Sequence, residues 1–142
     1  MEISKLDAAM HQLNAALRLF FEGDYLSSLT LAGAAEGILS NLCERQGLPT
    51  AADRIADFHM KDTDPTLSTK NRRKVVFTVL NRGRNQAKHA NVADENTVDV
   101  GQIYPLQMLM RAIPMARELG VSPSSEMAQL DTWIDKHPEA FE

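Results

Sequence analysis

The 142-residue chain contains a single cysteine, Cys43, and so cannot form an intrachain disulfide. One cysteine also excludes structural zinc sites built from pairs of Cys-x-x-Cys motifs. The four histidines show no metal-ligand spacing, so we expect neither a metal site nor a cofactor. Stability must therefore come from the burial of apolar side chains, and a chain of this length can bury enough of them in a single domain, residues 1–142.

Long hydrophobic runs are also missing from the sequence. No apolar segment approaches the ~18–20 residues that a membrane-spanning helix requires. Residues 1–10 contain an early acidic side chain, Glu2, and no cationic region leading into an apolar segment, which argues against a signal peptide. We therefore expect a cytoplasmic protein with no membrane partner.

Acidic residues are absent from one long segment, although the whole chain has a net charge of −4. Residues 65–93 contain no Asp or Glu, whereas the other 113 residues carry 8 basic and 19 acidic side chains. A positive segment in an acidic chain is typical of a surface that binds phosphate or nucleic acid, although a basic helix can also serve solubility alone. The seven basic residues of this segment are Lys70, Arg72, Arg73, Lys74, Arg82, Arg84 and Lys88.

Alternation of apolar and polar residues is scarce, and apolar residues instead recur at spacings of three and four, which predicts helices. Pro114 should kink or break its helix, and Ser122 with Pro123 offers a cap and a first-turn proline for the last one. The pattern predicts an all-α fold, an up-and-down bundle of four to five helices. The helical segments cover approximately residues 4–23, 24–47, 50–60 (short and less regular), 70–91, 101–119 and 122–137.

The helix predicted at residues 70–91 carries a concentrated set of polar side chains. On a helical wheel, one apolar side should face the core, and two polar flanks hold cations, amides and an imidazole but no carboxylate. The core side comprises Val79, Leu80, Gly83 and Ala87, one flank comprises Arg82, Asn85, Gln86 and His89, and the other comprises Asn81, Arg84 and Lys88.

This combination of side chains fits cleavage of a phosphodiester. Arginine stabilises the negative charge that the phosphate gains in the transition state, and histidine transfers protons near neutral pH. RNA supplies its own nucleophile, the 2′-hydroxyl, so the reaction requires no metal. We interpret His89 as a candidate acid or base, Arg84 as the stabilising group and Asn85 as an orienting residue. The alternative is that these side chains lie on a solvated helix face.

Glu36 is the only charged residue within the most apolar helical segment, residues 29–42. A carboxylate should not be buried without a partner, so we expect an ion pair with Arg82 or Arg84. That pair could be catalytic or purely structural.

Arg72, Arg73 and Lys74 lie at the start of a predicted helix, where the helix dipole disfavours positive charge. They could be solvated, or a bound phosphate or an acidic neighbour could offset the dipole. Together with Arg82 and Lys88, they are the candidate phosphate- or RNA-binding residues.

Residues 84–89, with Asn85 directly after Arg84, resemble the Arg-x4-His motif of the HEPN superfamily of helical domains. Residues 31–42 are similar to the helix that brings an acidic residue, here Glu36, toward that motif, and residues 111–113 are similar to part of a late helix. The resemblance covers most of residues 24–119. It implies a HEPN-like helical bundle that forms a homodimer, with two motifs facing each other across a cleft.

Active members of this superfamily are metal-independent ribonucleases that leave 2′,3′-cyclic phosphate ends. The resemblance thus implies a toxin-like endoribonuclease that uses Glu36, Arg84, Asn85 and His89, with RNA as substrate and a separate antitoxin protein as a further partner. On an ideal helix Arg84 and His89 point about 140° apart, so one copy makes a poor site whereas two facing copies could complete one. Inactive relatives suggest the alternative of a non-catalytic nucleotide- or protein-binding module, and a third is a purely structural monomer.

Overall fold

A computed structural model describes residues 1–141, which form six α-helices and no strand. The all-α class predicted from the sequence is confirmed. The helix count exceeds the predicted four to five, because the short segment near residue 55 forms a complete helix beside the five longer ones. The helices are α1 (Lys5–Phe21), α2 (Tyr25–Arg45), α3 (Ala51–His59), α4 (Thr69–Lys88), α5 (Ile103–Glu118) and α6 (Ser125–Lys136), with short 3-10 turns at Met60–Asp62 and Pro138–Phe141.

The hydrophobic core lies between α1, α2 and α5, with α6 covering one side. Spacings of three and four place the apolar residues of each helix on one stripe, and these stripes face each other. Each fully buried leucine contributes about 1.5–3 kcal/mol through removal of its side chain from water. The largest fully buried side chains include Leu13, Leu17, Leu29, Leu39, Leu106, Leu109, Met127 and Leu130.

Side-chain caps and glycines define most helix ends. The Ser4 hydroxyl accepts a hydrogen bond from the Asp7 backbone N–H at 2.9 Å, and Asp24 similarly caps α2. Gly23 and Gly120 end α1 and α5 with φ of 84° and 88°, a region that glycine enters without steric cost. These ends lie where the sequence predicts them.

The predicted start of the last helix is wrong by two residues. α6 begins at Ser125, and Ser124 rather than Ser122 is its cap, accepting from the Met127 backbone N–H at 3.2 Å. The Ser124 hydroxyl also donates to Asn14 Oδ1 at 2.8 Å, and this contact with α1 fixes where the helix begins.

Pro114 does not break α5, which continues from Ile103 to Glu118. Proline removes one backbone hydrogen bond, that to the carbonyl four residues earlier. Pro114 and Met110 both lie on the exposed side of the helix, so water can satisfy that carbonyl. Of the predicted kink or break, the break is therefore wrong.

Helix α4 lies outside the core and contacts α2 and α3. Val76 is its one buried residue in the described chain. Val79, predicted to face the core, is instead 56% exposed, because α4 rotates its Val76 side toward the molecule. The helix ends at Lys88, three residues before the predicted end. Within residues 1–141, none of the helices combines the length and apolarity that a membrane crossing requires.

Candidate functional site

Glu36 is the centre of a buried network that joins three helices. Its side chain is 3% exposed. Arg84 of α4 donates from Nη1 to Oε2 at 3.2 Å, and Arg111 of α5 donates from Nη2 to Oε1 at 3.0 Å. The Ser40 hydroxyl also donates to Oε1, at 2.9 Å. Both carboxylate oxygens are thus hydrogen-bonded, as a buried charge requires.

Of the two partners predicted for Glu36, the structure brings Arg84 into contact and leaves Arg82 on the surface. Arg111 is a partner that sequence reasoning missed, although residues 111–113 lie within the resemblance. Its side chain is buried and also donates to Asn81 Oδ1 of α4 at 3.2 Å. An arginine on the apolar side of α5, together with a glutamate in an apolar helix, was the signal that could have identified this pair.

The side chain of Arg84 packs against α2 at Gly33. A Cβ added to Gly33 would lie 2.7 Å from Cγ and Cδ of Arg84, so the close approach of these helices depends on the missing side chain. The Arg84 side chain is 21% exposed, and its buried Nε has no hydrogen-bond partner in residues 1–141. Arg84 is therefore directed toward the interior by both its packing and its ion pair.

His89, Asn85 and Arg82 lie together on the exposed side of α4. His89 is the C-cap residue, and its backbone N–H donates to the Asn85 carbonyl at 3.0 Å. Two adjoining pockets, of about 370 and 310 Å³, open at this end of the helix and share Gln86, His89 and Glu95. We call this paired surface the α4 groove, and Arg82, Asn85, Gln86, Lys88, His89 and Glu95 are among the residues that line it.

The structure does not bring Arg84 and His89 together within one chain. Arg84 points to Glu36, whereas His89 lies in the α4 groove, to which Arg84 does not contribute. This separation follows from the helical spacing of five residues. Two of the four predicted catalytic residues, Asn85 and His89, lie in the groove, and the other two, Glu36 and Arg84, form the buried network.

Arg72 and Arg73 have intramolecular partners at the start of α4. Arg72 Nε donates to the Thr63 hydroxyl at 2.6 Å. Arg73 forms ion pairs with two aspartates of α3, at 2.7 Å from Asp53 and also with Asp57. An acidic neighbour thus offsets the unfavourable helix dipole.

Of the three candidate phosphate-binding residues near this helix end, Lys74 is the exposed one, and, like the exposed Lys70 nearby, it makes no ion pair within residues 1–141. Lys74 therefore has its ammonium group available to a phosphate, whereas the guanidinium groups of Arg72 and Arg73 hold the first turn of α4 against α3 and the adjoining 3-10 turn.

Tyr104 holds in place the end of the connection between α4 and α5. Its ring packs against Gly83, where an added Cβ would lie 2.8 Å from the Tyr104 Cδ1 atom. The Tyr104 hydroxyl donates to Asp99 Oδ2 at 3.2 Å, and this hydrogen bond, together with the charge of Asp99, raises the pKa of the phenol. The tyrosine thus serves to anchor residues 99–104.

Cys43 lies in the core rather than in a site. Burial raises the pKa of the Cys43 thiol, and the nearby charge of Glu118 raises it further. Since the thiolate is the nucleophilic form, Cys43 is a poor nucleophile at neutral pH. Residues 1–141 contain no group of three His, Cys, Asp or Glu side chains arranged to hold a metal ion.

Two features could serve chemistry: the basic α4 groove with its imidazole, and the buried Glu36 network beneath α4. Comparisons with family models, with curated proteins and with solved structures found no match for this chain. The function is therefore proposed from the groove, the network and the resemblance of the Arg-x4-His motif.

Proposed function

We propose that the chain is a metal-independent endoribonuclease of HEPN type that acts as a homodimer and leaves 2′,3′-cyclic phosphate ends. The observation that carries this proposal is the α4 groove, in which His89, Asn85 and Arg82 line a single pocket of about 370 Å³. An imidazole can transfer protons, an amide can orient the substrate, and a guanidinium can stabilise a negatively charged phosphorane.

The contact between Glu36 and Arg84 supports the resemblance on which the enzyme class depends. The resemblance assigns to residues 31–42 an acidic residue directed at the Arg-x4-His motif, and Glu36 lies 3.2 Å from Arg84. In this proposal Glu36 holds the arginine, while Arg82 and Lys88 contact phosphates in the α4 groove.

The homodimer is proposed because one chain does not complete the motif. Arg84 and His89 lie on different sides of α4, so the 21% of the Arg84 side chain that stays exposed could reach only the His89 of a second copy. The exposed apolar residues Val75 and Val79 on α4, beside an apolar pocket of about 790 Å³, offer a surface that a second copy could cover.

A non-catalytic nucleotide- or protein-binding module is the second candidate. The observation that favours it is the ion pair of Arg84 with buried Glu36, which gives the motif arginine a structural role. A groove containing Arg82 and Lys88 could then bind phosphate without cleaving it, and an antitoxin or other protein partner could occupy the same face.

The test is cleavage of end-labelled RNA by the purified chain in EDTA, beside His89→Ala. His11→Ala is the matched control, because His11 is an exposed histidine on α1. We expect cyclic-phosphate products, a loss of roughly 10²–10⁴-fold in rate for His89→Ala, and no loss for the control. Nucleotide binding without cleavage would favour the second candidate, and equal cleavage by all three proteins would contradict the site.

A further inference from the structure

We infer that Glu95 is a further catalytic residue of the α4 groove: it acts as the general base that activates the 2′-hydroxyl, while His89 acts as the general acid. This inference rests on the proposed ribonuclease function. Glu95 belongs to the connection between α4 and α5, well outside the Arg-x4-His spacing. It is therefore a residue that the motif does not assign.

The connection after α4 folds so that Glu95 turns toward the helix. The residues on either side of it, Asp94 and Asn96, are exposed, whereas Glu95 is half-buried. Its backbone N–H donates to the Val92 carbonyl at 3.0 Å, which closes a turn. Glu95 and His89 both line each of the two pockets of the α4 groove. The loop thus places a carboxylate and an imidazole in the same cavity.

Glu95 is the carboxylate that these two pockets contain, and their other charged side chains are Arg82 and Lys88. Within residues 1–141, its carboxylate makes no ion pair within 4 Å with these cations or with His89. A carboxylate in a groove for phosphate repels the ligand, so it is unfavourable in a groove that only binds phosphate, whereas a groove that also transfers protons can use it as a base. Because Glu95 forms no structural ion pair within the described residues, its carboxylate oxygens are available to accept a proton.

Cleavage of RNA through its 2′-hydroxyl needs two proton carriers on opposite sides of the phosphorus, since attack and departure are in line. The Glu95 carboxylate accepts the 2′-hydroxyl proton, and the bond between O2′ and phosphorus forms. As the bond between phosphorus and O5′ breaks, the His89 imidazolium donates its proton to O5′. Glu95 then returns its proton to water and His89 takes one up, so atoms and charge balance without a further reactant.

One histidine cannot serve both ends of a single in-line step. The second carrier is therefore either Glu95 of the same groove or a side chain of another copy. His89 and Glu95 line the same pocket of about 370 Å³, which has room for a phosphate, and Arg82 lines this pocket too and could contact the non-bridging oxygens. The geometry within one chain thus favours Glu95 as base.

The experiment compares the wild-type chain with Glu95→Gln and with Asp94→Asn. Asp94→Asn removes the same charge from the neighbouring exposed residue and is the matched control. Single-turnover cleavage of RNA measures the chemical step, and binding of an uncleavable 2′-deoxy substrate measures affinity separately. The glutamine keeps the size of the side chain, so the surface loop should fold as before.

We expect Glu95→Gln to cleave roughly 10²–10⁴-fold more slowly, while it binds the 2′-deoxy substrate at least as tightly. Asp94→Asn should cleave like the wild type. Cleavage by Glu95→Gln at or above the wild-type rate would show that Glu95 only repels phosphate, and would overturn this inference while leaving the ribonuclease proposal intact. If the wild type itself cleaves no RNA, the proposed function fails and the inference falls with it.

Discussion

Glu36 is buried between arginines from two different helices, so each of the three charges depends on the others. Arg84 and Arg111 contribute two positive charges, and Glu36 with the Ser40 hydroxyl supplies the acceptor atoms. Ion pairs removed from water add little net stability when intact, but they are costly to break because a buried charge then lacks compensation. The network therefore fixes the positions of α2, α4 and α5 relative to one another.

Replacing Glu36 by glutamine should lower the free energy of unfolding by about 3–5 kcal/mol, since two guanidinium groups then face an uncharged amide. Asp131→Asn is the control, because the Arg117–Asp131 pair at 3.6 Å lies on the surface, where water screens it. Urea unfolding followed by circular dichroism measures both variants. Equal shifts of the two unfolding midpoints would show that Glu36 is not an essential counter-charge.

The pairing of Glu36 with an arginine of α4, either Arg82 or Arg84, was predictable because burial of a carboxylate demands a partner and α4 carries a concentrated set of cations. The approach of Glu95 to His89 was not predictable. It depends on a turn in a connection without periodic apolar residues, and the sequence pattern contains no information on which way such a segment folds.

At the scale of elements, α4 packs against α2, and Gly33 is a point where the two helices approach closely. The aliphatic part of Arg84 fills the space that a side chain at Gly33 would need. Arg84 cannot easily move aside, because its guanidinium is bonded to Glu36. The glycine and the ion pair thus act together to hold α4.

Gly33→Ala should therefore destabilise the protein by about 1–3 kcal/mol through overpacking. Gly37→Ala is the matched control on the same helix: an added Cβ there meets nothing within 4 Å. Its higher helix propensity should stabilise the protein by roughly 0.5–1 kcal/mol. Thermal unfolding of both variants measures the difference, and a stabilising Gly33→Ala would mean that α4 does not depend on this contact.

Helix positions were largely predictable, but the face that α4 buries was not. Caps such as Asp24 and Thr50 are local signals and mark their helices correctly. The face of α4 was inferred by assuming that apolar residues point inward, and Val79 shows where this fails. The exposed valines show that α4 packs against the rest of the molecule along only one narrow side. The apolar pattern of the sequence does not reveal which side that is.

At the scale of the whole molecule, the net charge of −4 would keep RNA away from most of the surface and leave the basic α4 groove as the site of approach. The motif itself is divided between the interior and this groove. Because the proposed enzyme is a homodimer, the two halves of one site would come from different chains. In such a dimer, two different inactive variants can complement each other, which variants of a monomeric enzyme cannot do.

Two inactive variants should restore cleavage when they are mixed. Arg84→Ala and His89→Ala are each expected to be inactive, but a mixed dimer would contain one site with an intact Arg84 from one copy and an intact His89 from the other. Random exchange of subunits makes half of the dimers mixed, and each mixed dimer has one intact site out of two. The activity should therefore approach about a quarter of the wild-type value if the rate constant of the intact site is unchanged.

Circular dichroism checks folding, and Arg84→Lys, which keeps a charge beside Glu36, replaces Arg84→Ala if that variant unfolds. Mixtures that stay inactive, although sedimentation shows that dimers exchange, would place Arg84 and His89 in the same chain's site or leave Arg84 as a positioning residue only.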